Sequence, residues 1–347
     1  MKISVIMSCY NINVGMFKTA VHSILQQTFR DFELIIVNDG MSDEKEELLG
    51  MFSDSRVKWI INERNKGLAY SLNRAIRAAE GKYIVRMDTD DIALKNRLRM
   101  QYEYMENRPT CTVCATRYLF LQDGKVSKGD DFFGKGIEIV NASLFMNCYV
   151  QHPTVMIRRD FLIKHNVFYN EKLYRGQDYA LWADIVLHGG SIDIIKDVLL
   201  IYRIHKGQAS VVHRQEQREV QKMVREKFLN ALGVQYSCEE FSLHERLSEL
   251  EGKRSDWKNA NIWYKKIVET DKGNYKDVQA LKGLLVKYYV RNFPLKRISF
   301  VDRWVKWKYI WMIVYRKVIG RISLIFEMIK NRKEIKCLLQ KESLSDN

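Results

Sequence analysis

Three aspartates stand within four residues of the chain, in the stretch Asp88-Thr89-Asp90-Asp91. Carboxylates this close together repel one another strongly unless a positive charge lies nearby. A divalent cation removes that repulsion, and oxygen ligands of this kind suit Mg²⁺ or Mn²⁺. Such a cation can in turn hold a diphosphate. The residue types leave one alternative open, in which the aspartates are acidic caps of a helix predicted to begin near Lys95.

A carboxylate that could accept a proton lies farther along, in the stretch Gly176-Gln177-Asp178-Tyr179-Ala180-Leu181-Trp182. The spacing of Asp178 and Trp182 places both on one face of a helix. A carboxylate in this position could act as a general base. Alternatively, Asp178 is an acidic residue favoured near a helix N-terminus, and Trp182 belongs to the core.

The elements that must position these residues alternate between strands and helices. Apolar runs predict strands at 3–8, 32–37, 57–61 and 83–87, with helices at 14–27, 44–52 and 65–79 between them. This alternation predicts an α/β fold with a mostly parallel, doubly wound sheet and flanking helices. Because crossovers are right-handed, the carboxyl ends of the strands share one edge. Tyr10, Asp39, Gly67 and Asp88 are therefore expected to meet there.

The predicted edge carries polar side chains suited to a nucleotide. They are Ser8, Asn11, Asp39, Asn65 and Asn73, and Asp39 at a strand end is placed to accept hydrogen bonds from a ribose or a base edge. For Asp39 the alternative is a turn-forming role in Asn-Asp-Gly. The chain lacks both G-x-G-x-x-G and G-x-x-x-x-G-K-[ST]. Their absence argues against a dinucleotide cofactor and against a P-loop ATPase.

The C-terminal part differs in pattern and in charge. Helices are predicted at 215–232, 239–250, 257–270 and 275–290, so we expect domains at 1–212, 213–300 and 301–347. Of the net charge of +15, residues 211–347 hold 29 Lys/Arg against 17 Asp/Glu. The segment Trp304–Ile329 repeats apolar residues at helical spacing between basic ones. Such a helix is typical of a membrane interface, although it could instead pack on the protein.

The remaining composition favours a reduced, intracellular compartment. The N-terminus has no apolar stretch followed by a cleavage site, and no run reaches the roughly 18 residues of a membrane span. Six cysteines are scattered, and Cys111 and Cys114 lie in a strand-like run without partners at zinc spacing. We therefore expect buried free thiols and a cytoplasmic protein.

The segment Lys125–Lys135 is expected to be a surface loop near the cleft.

At this point the ordered motifs resemble family 2 glycosyltransferases with the GT-A fold. The resemblance covers about the first 210 residues, and the aspartate stretch occupies the place of the DxD motif. The motifs that carry it are Ser4–Asn11, Val37–Gly40, Asn65–Gly67, Gly81–Ile84, Met87–Asp91, His152–Met156, Gly176–Trp182 and Tyr202–His205.

The resemblance implies a Rossmann-like GT-A domain, a nucleotide-sugar donor, a divalent cation and inversion at the anomeric carbon. It implies Asp178 as general base and a metal site at Asp88, Asp90 and His205. The substrate-binding residues it implies are Tyr10, Asn11, Asp39, Asn65, Gly67, Asn73, Asp88, His152, Trp182 and Arg203. Two positions depart from the family: Gln177 replaces the more usual Glu, and Leu72 replaces an Arg that would contact the diphosphate.

We therefore expect a transferase that moves a hexose or N-acetylhexosamine from a UDP-sugar with Mn²⁺ or Mg²⁺. Its acceptor is expected to be a polyprenyl-diphosphate-linked glycan of a bacterial surface polysaccharide. The basic C-terminus predicts peripheral binding to the anionic inner face of the cell membrane, and nucleic acid is not expected as a partner. The alternatives are a sugar nucleotidyltransferase, which would attack phosphorus, and a basic nucleic-acid-binding protein, for which no reader motif is present.

Overall fold

The computed structural model describes residues 1–41, 50–129, 137–205, 214–270 and 278–293 of the chain. These residues form two compact units, one within 1–131 and 150–220 and the other within 132–149 and 221–293. The strands are β1 Ile3–Cys9, β2 Phe32–Asn38, β3 Val57–Ile61, β4 Tyr83–Arg86, β5 Ile92–Ala93, β6 Val113–Gln122, β7 Lys125–Lys128, β8 Met156–Arg158 and β9 Ile192–Arg203. The helices are α1 Val14–Leu25, α2 Leu68–Ala78, α3 Arg97–Glu106, α4 Ile137–Ser143, α5 Arg159–His165, α6 Gln177–Leu187, α7 Arg214–Ala231, α8 Cys238–Ser248, α9 Trp257–Thr270 and α10 Val278–Asn292.

The first unit is built on a single mixed sheet. Its strand order is β3-β2-β1-β4-β8-β6-β9-β5, and β7 extends from β6. Strands β3, β2, β1 and β4 are parallel, as the sequence predicts. Because β2 and β4 lie on opposite sides of β1, the strand order reverses there, and ligands bind at such a reversal in open α/β sheets. The residues that follow β1, β2 and β4 therefore lie at one edge of the sheet.

The antiparallel strands are a departure from the predicted doubly wound pattern. Strand β8 runs against both β4 and β6, and β5 runs against β9. Strands β5 and β8 contain only two and three residues. Elements this short show no period-2 pattern, which explains why the sequence did not reveal them.

The prediction of a surface loop at Lys125–Lys135 is wrong for its first residues, because Lys125–Lys128 form β7. Asp123 and Gly124 both have positive φ, 49° and 69°, and join β6 to β7 as a two-residue hairpin turn. An Asp-Gly pair between two strands favours this turn because both residues tolerate left-handed backbone. Residues 130–136 lie outside the described part of the chain. Cys111 and Cys114 are buried free thiols, as expected.

The second unit is helical, and α7 to α10 confirm the helices predicted from the sequence. Its core includes the fully buried side chains of Trp263, Tyr264, Tyr288 and Tyr289. Arg225 is also fully buried, where its Nε donates to the Met146 carbonyl and its Nη1 pairs with Glu249 at 3.3 Å. Helix α8 begins with a capping box of Ser237 and Glu240.

Within the described ranges, no helix combines the length and apolar character that a membrane crossing requires. The amphipathic segment Trp304–Ile329 lies outside these ranges, as does the whole of 301–347.

A buried carboxylate ties together the amino ends of the parallel strands. Glu33 on β2 accepts hydrogen bonds from the Ser4 hydroxyl at 2.5 Å and from the Glu80 backbone N–H at 2.9 Å. Its other oxygen pairs with Lys58 of β3 at 2.8 Å. Gly81 donates to Ser4, and a Cβ on Gly81 would lie 2.4 Å from the Ser4 nitrogen. The network thus requires glycine at that position.

Replacing Glu33 with Gln is expected to lower the free energy of unfolding at pH 7 by about 1–3 kcal/mol, because an NH₂ group replaces one of the two acceptor oxygens and Lys58 loses its charged partner. Burial raises the pKa of Glu33. Lys58, the Ser4 hydroxyl and the Glu80 N–H together lower it by more, so the net pKa is below the ordinary value. The extra stability is therefore present above the unfolded-state pKa and lost as pH falls through the folded-state pKa. Urea unfolding of both proteins between pH 7 and 3 measures this.

The matched control is Glu103→Gln, which removes a carboxylate that is 55% exposed and pairs with Arg99 at 3.6 Å. Exposed pairs contribute little, so a smaller loss is expected there. Equal stability of the wild type and Glu33→Gln at pH 7 would contradict the role of this network.

Candidate active site

Three carboxylates converge at the carboxyl end of β4. One oxygen each from Asp88, Asp90 and Asp91 lies within 4.8 Å of the other two. The side chains of Asp88 and Asp90 are 31% and 25% exposed, whereas Asp91 is completely buried. Their arrangement brings two of the predicted ligands together and adds Asp91 as a third carboxylate.

The end of β9 is fastened to this loop. His205 Nε2 lies 3.0 Å from Asp90 Oδ2, which brings together the expected ligands Asp90 and His205. Arg203 donates from its backbone N–H to Asp91 Oδ1 at 2.9 Å and from Nε to the Asp90 carbonyl at 2.6 Å. These three contacts fix the positions of Asp90 and Asp91 through a strand distant in sequence.

Two buried arginines supply positive charge beneath the carboxylates. Arg86, the last residue of β4, forms an ion pair with Asp88, and Arg97 of α3 donates to the Arg86 carbonyl at 2.9 Å. Burial raises the pKa of Asp88 and, more strongly, of Asp91; neighbouring carboxylates add to this and Arg86 opposes it. Burial lowers the pKa of Arg97 to about 9, so it remains charged at neutral pH. Repulsion alone therefore does not require a metal here.

The donor set nevertheless fits a hard divalent cation. Asp91 Oδ2 is buried and has no hydrogen-bond partner among the described residues. An unpaired buried carboxylate oxygen is costly unless something compensates it. Together with Asp88 and Asp90 it offers oxygen ligands, and His205 offers a nitrogen, which suits Mg²⁺ or Mn²⁺.

Asp39 organises the loop after β3. Its carboxylate accepts from the backbone N–H groups of Lys66 and Gly67 at 2.9 Å each and from Asn62 Nδ2 at 2.6 Å. Gly40 is needed beside it, since its φ is +81° and a Cβ would lie 2.2 Å from the Arg64 carbonyl carbon. The predicted meeting of Asp39 and Gly67 is confirmed, and the structure shows that they bind each other directly.

Asn73, within α2, has a similar role for the segment around Tyr169. Its amide exchanges two hydrogen bonds with the backbone of Tyr169, at 2.9 and 3.0 Å, and donates to Glu171 at 2.8 Å. The Tyr169 hydroxyl in turn lies 2.7 Å from His152 Nε2. Burial, with the charge of Arg86, lowers the pKa of His152 well below its usual value, so the ring is neutral. Asn73 and His152 are thus both buried and joined through Tyr169.

Asp178 lies in the first turn of α6, as predicted. Gly176 precedes it with φ +68°, which allows the sharp entry into the helix. Burial raises the pKa of the Asp178 carboxyl, and the Tyr179 N–H and Arg86 lower it only in part. The charge of Asp88 also acts on Asp178, which places the two carboxylates in one electrostatic neighbourhood.

Trp182 shares the helix with Asp178, but its side chain is completely buried. Its ring meets the ring of His152 edge to face, with centroids 6.1 Å apart. The ring is therefore a packing surface beneath the site and is not presented to a sugar in this structure. Tyr174, in contrast, is 64% exposed and lies four residues before Asp178.

The remaining predicted residues lie at the exposed rim. Tyr10 follows β1 and is 48% exposed, and Asn11 beside it has a left-handed backbone with φ +49°. Asn65 is exposed, and its side chain accepts from the Gly67 N–H at 2.9 Å. These groups follow β1 and β3 at the same edge as Asp39.

Sequence reasoning missed Arg86, Arg97 and Tyr169. For Arg86 a signal was present, because a charged residue inside an apolar strand run is seldom fully buried without a partner. Arg97 and Tyr169 carried no comparable signal, since their roles depend on contacts between distant elements.

The chain is similar to known proteins along this same region. The family model for Glycosyl transferase family 2 matches residues 4–170. An uncharacterized glycosyltransferase of Methanocaldococcus jannaschii is 36% identical over 206 residues, which are 58% of this chain and 70% of that protein. The Escherichia coli protein WfaP, named a UDP-Glc:alpha-D-GlcNAc-diphosphoundecaprenol beta-1,3-glucosyltransferase, is 29% identical over 213 residues, covering 60% of this chain and 79% of WfaP.

A solved structure shares the fold across both units. Residues 1–349 of TarS from S. aureus, crystallised in complex with UDP-GlcNAc, match with a TM-score of 0.58. The match covers 89% of this chain and 91% of that one, at 17% identity. It confirms a GT-A fold followed by a helical C-terminal region.

Proposed function

The chain belongs to the family 2 glycosyltransferases, and from this premise we propose that it transfers a hexose or N-acetylhexosamine from a UDP-sugar to a lipid-linked glycan. The observation that carries the proposal is the meeting of Asp88, Asp90 and Asp91 with His205 in one site, within electrostatic reach of Asp178. The name of WfaP, with a UDP-sugar donor and a diphosphoundecaprenol-linked acceptor, supports both substrate classes. The UDP-GlcNAc bound to TarS supports the donor.

The proposed reaction inverts the anomeric carbon in one displacement. The acceptor hydroxyl oxygen forms the new bond to that carbon while the bond to the nucleoside diphosphate breaks. Asp178 takes the hydroxyl proton, and its raised pKa suits a general base better than that of an ordinary Asp. Asp88, Asp90 and His205 would hold Mn²⁺ or Mg²⁺, which supplies Lewis-acid stabilisation of the departing diphosphate.

The rim residues are proposed to hold the nucleotide. A carboxylate has about four lone-pair sites, and the loop donors to Asp39 use three of them. One acceptor site of Asp39 is thus left for a base or ribose donor. Tyr10, Asn11, Asn65 and Gly67 lie at the same edge, while Arg203 lies beside the carboxylates.

On the acceptor side we propose that His152, Asn73 and Trp182 act from beneath by fixing the segment around Tyr169. Because Trp182 is buried, Tyr174 is the better candidate to stack on an acceptor sugar: it is 64% exposed, although the Arg175 guanidinium lies over its ring, 4.4 Å from the centroid. A tyrosine ring offers an apolar face for stacking together with a polar hydroxyl group.

We also propose that residues 301–347 bind the protein peripherally to the cytoplasmic face of the cell membrane. The support is the sequence pattern of Trp and Lys/Arg in Trp304–Ile329, together with the lipid-linked acceptor named for WfaP. Basic residues near an anionic bilayer contribute about 1 kcal/mol each.

The experiment that tests the enzyme class is a donor screen with UDP-, GDP- and dTDP-sugars and a lipid-linked acceptor, in Mn²⁺ and in EDTA. Release of UDP from one donor, lost in EDTA and in Asp90→Ala, is the expected result. Asp54→Ala is the matched control, since Asp54 pairs with Arg56 outside the site. Pyrophosphate as the product would indicate nucleotidyl transfer instead, and turnover unchanged by EDTA and by Asp90→Ala would contradict the metal site.

Replacing Asp178 with Asn is expected to lower the transfer rate by about 10²–10⁴-fold, the usual contribution of a general base, while UDP binding stays unchanged. In the wild type, activity should fall as pH drops through the Asp178 pKa, at a value above that of an ordinary Asp, because burial raises it. Asp184→Asn, on the same helix, is the control. Rates and calorimetric UDP binding measured side by side decide this, and wild-type turnover in Asp178→Asn would remove Asp178 as the base.

Deleting residues 301–347 is expected to abolish co-sedimentation with anionic phospholipid vesicles, because the deletion removes the basic amphipathic segment. The full chain should remain bound at low salt and be released as salt screens the charges. Neutral vesicles are the control for lipid alone. Equal retention of the full and truncated chains would show that this segment does not bind the membrane.

A further inference from the structure

Arg86 is a buried cation that lies between the carboxylates of the site. It occupies the last position of β4, where all four residues are buried, and only 4% of its side chain is exposed. A charged side chain is rarely placed in such a strand unless a partner compensates its lost hydration. The partner here is Asp88, two residues along the chain.

The surroundings of Arg86 hold it in place from both directions. Its backbone N–H donates to the Val155 carbonyl at 3.2 Å, and its own carbonyl accepts from Arg97 Nη2 at 2.9 Å. Its Nη1 forms the ion pair with Asp88, while its Nε has no hydrogen-bond partner among the described residues. The two hydrogen bonds fix the backbone of Arg86, and the ion pair places its guanidinium against the carboxylate of Asp88.

The charge of Arg86 reaches more than one carboxylate. Its ion-pair partner Asp88 belongs to the cluster in which one oxygen each of Asp88, Asp90 and Asp91 lies within 4.8 Å of the other two. Asp91 is completely buried, so water cannot screen its charge. In the cluster, Arg86 therefore compensates carboxylates that would otherwise repel one another at close range.

We propose that Arg86 is a positioning residue, the permanent counter-charge that holds Asp88 and Asp91 in place before any cation or donor binds. The inference deepens the proposed function, on which it rests for the role of Asp88 in binding the donor and the cation. The proposed role of Arg86 also has a consequence for stability that needs neither the donor nor the cation. Removing Arg86 leaves carboxylates unpaired, and removing Asp88 leaves a buried guanidinium unpaired. Removing both relieves each defect.

The test is a double-mutant cycle on thermal unfolding in EDTA, with Arg86→Met, Asp88→Asn and the double variant. Each single variant is expected to unfold at a lower temperature than the wild type. The double variant is expected to unfold at a higher temperature than Arg86→Met alone, because Asp88→Asn removes the uncompensated charge. A double variant whose Tm loss equals the sum of the two single losses would overturn the proposal.

Two further variants separate charge from packing. Arg86→Lys keeps the positive charge and should recover part of the Tm lost in Arg86→Met; no recovery would count against a counter-charge. Arg225→Met is the matched control, because Arg225 is also a fully buried arginine paired with a carboxylate, Glu249. Combining it with Asp88→Asn should give additive losses, and relief there would overturn the proposal.

Where Arg86→Met fails to fold, soluble expression replaces Tm as the readout. A soluble double variant beside an insoluble Arg86→Met supports the proposal, and insolubility of both, with Arg86→Lys equally insoluble, overturns it. Donor turnover plays no part in this readout. A wild-type protein inactive on every donor would refute the proposed function, whereas the cycle in EDTA alone decides the role of Arg86.

Discussion

The structure of the sheet unit depends on compensating the negative charge of three carboxylates at the end of one strand. Asp88, Asp90 and Asp91 lie within a few ångströms of one another, and one of them is fully buried. Three elements contribute to this compensation: Arg86 at the end of β4 pairs with Asp88, Arg97 of α3 donates to the Arg86 carbonyl, and the backbone N–H of Arg203 at the end of β9 donates to Asp91. These contacts form only when β4, α3 and β9 have reached their native positions in the sheet unit. The fold therefore specifies this site through charge balance as much as through apolar packing.

The rim shows a second constraint, which is that the polar side chains nearest the ligand edge also hold the loops that form it. Asp39 binds the backbone of Lys66 and Gly67, and Asn73 binds the backbone of Tyr169. Each side chain replaces a backbone partner that an irregular loop would otherwise lack. A substitution at such a position therefore changes loop geometry and ligand contacts together, and kinetic effects alone do not separate the two.

The sequence predicted the parallel half of the sheet because β1, β2, β3 and β4 are runs of apolar residues bounded by turns. It predicted α7 to α10 because helical periodicity extends over many residues. It did not predict β5 and β8, which are too short to show a period, and it treated β7 as loop although Asp123-Gly124 favours a hairpin. Of the site, Asp88, Asp90 and His205 followed from motif order, whereas the burial of Trp182 and the roles of Arg97 and Tyr169 depend on long-range packing that one chain does not display.

The same guanidinium links the two halves of the proposed reaction. Arg86 pairs with Asp88, on the side assigned to the donor, and its charge lowers the pKa of Asp178, on the side assigned to the acceptor. Burial raises the pKa of Asp178 by more than Arg86 lowers it, so the net pKa lies above that of an ordinary Asp. Because Asp88 also acts on Asp178, any change in charge at the donor side reaches the base through a poorly screened interior. In the proposed reaction, a change in charge where the donor binds would therefore shift the pKa of the proposed base Asp178.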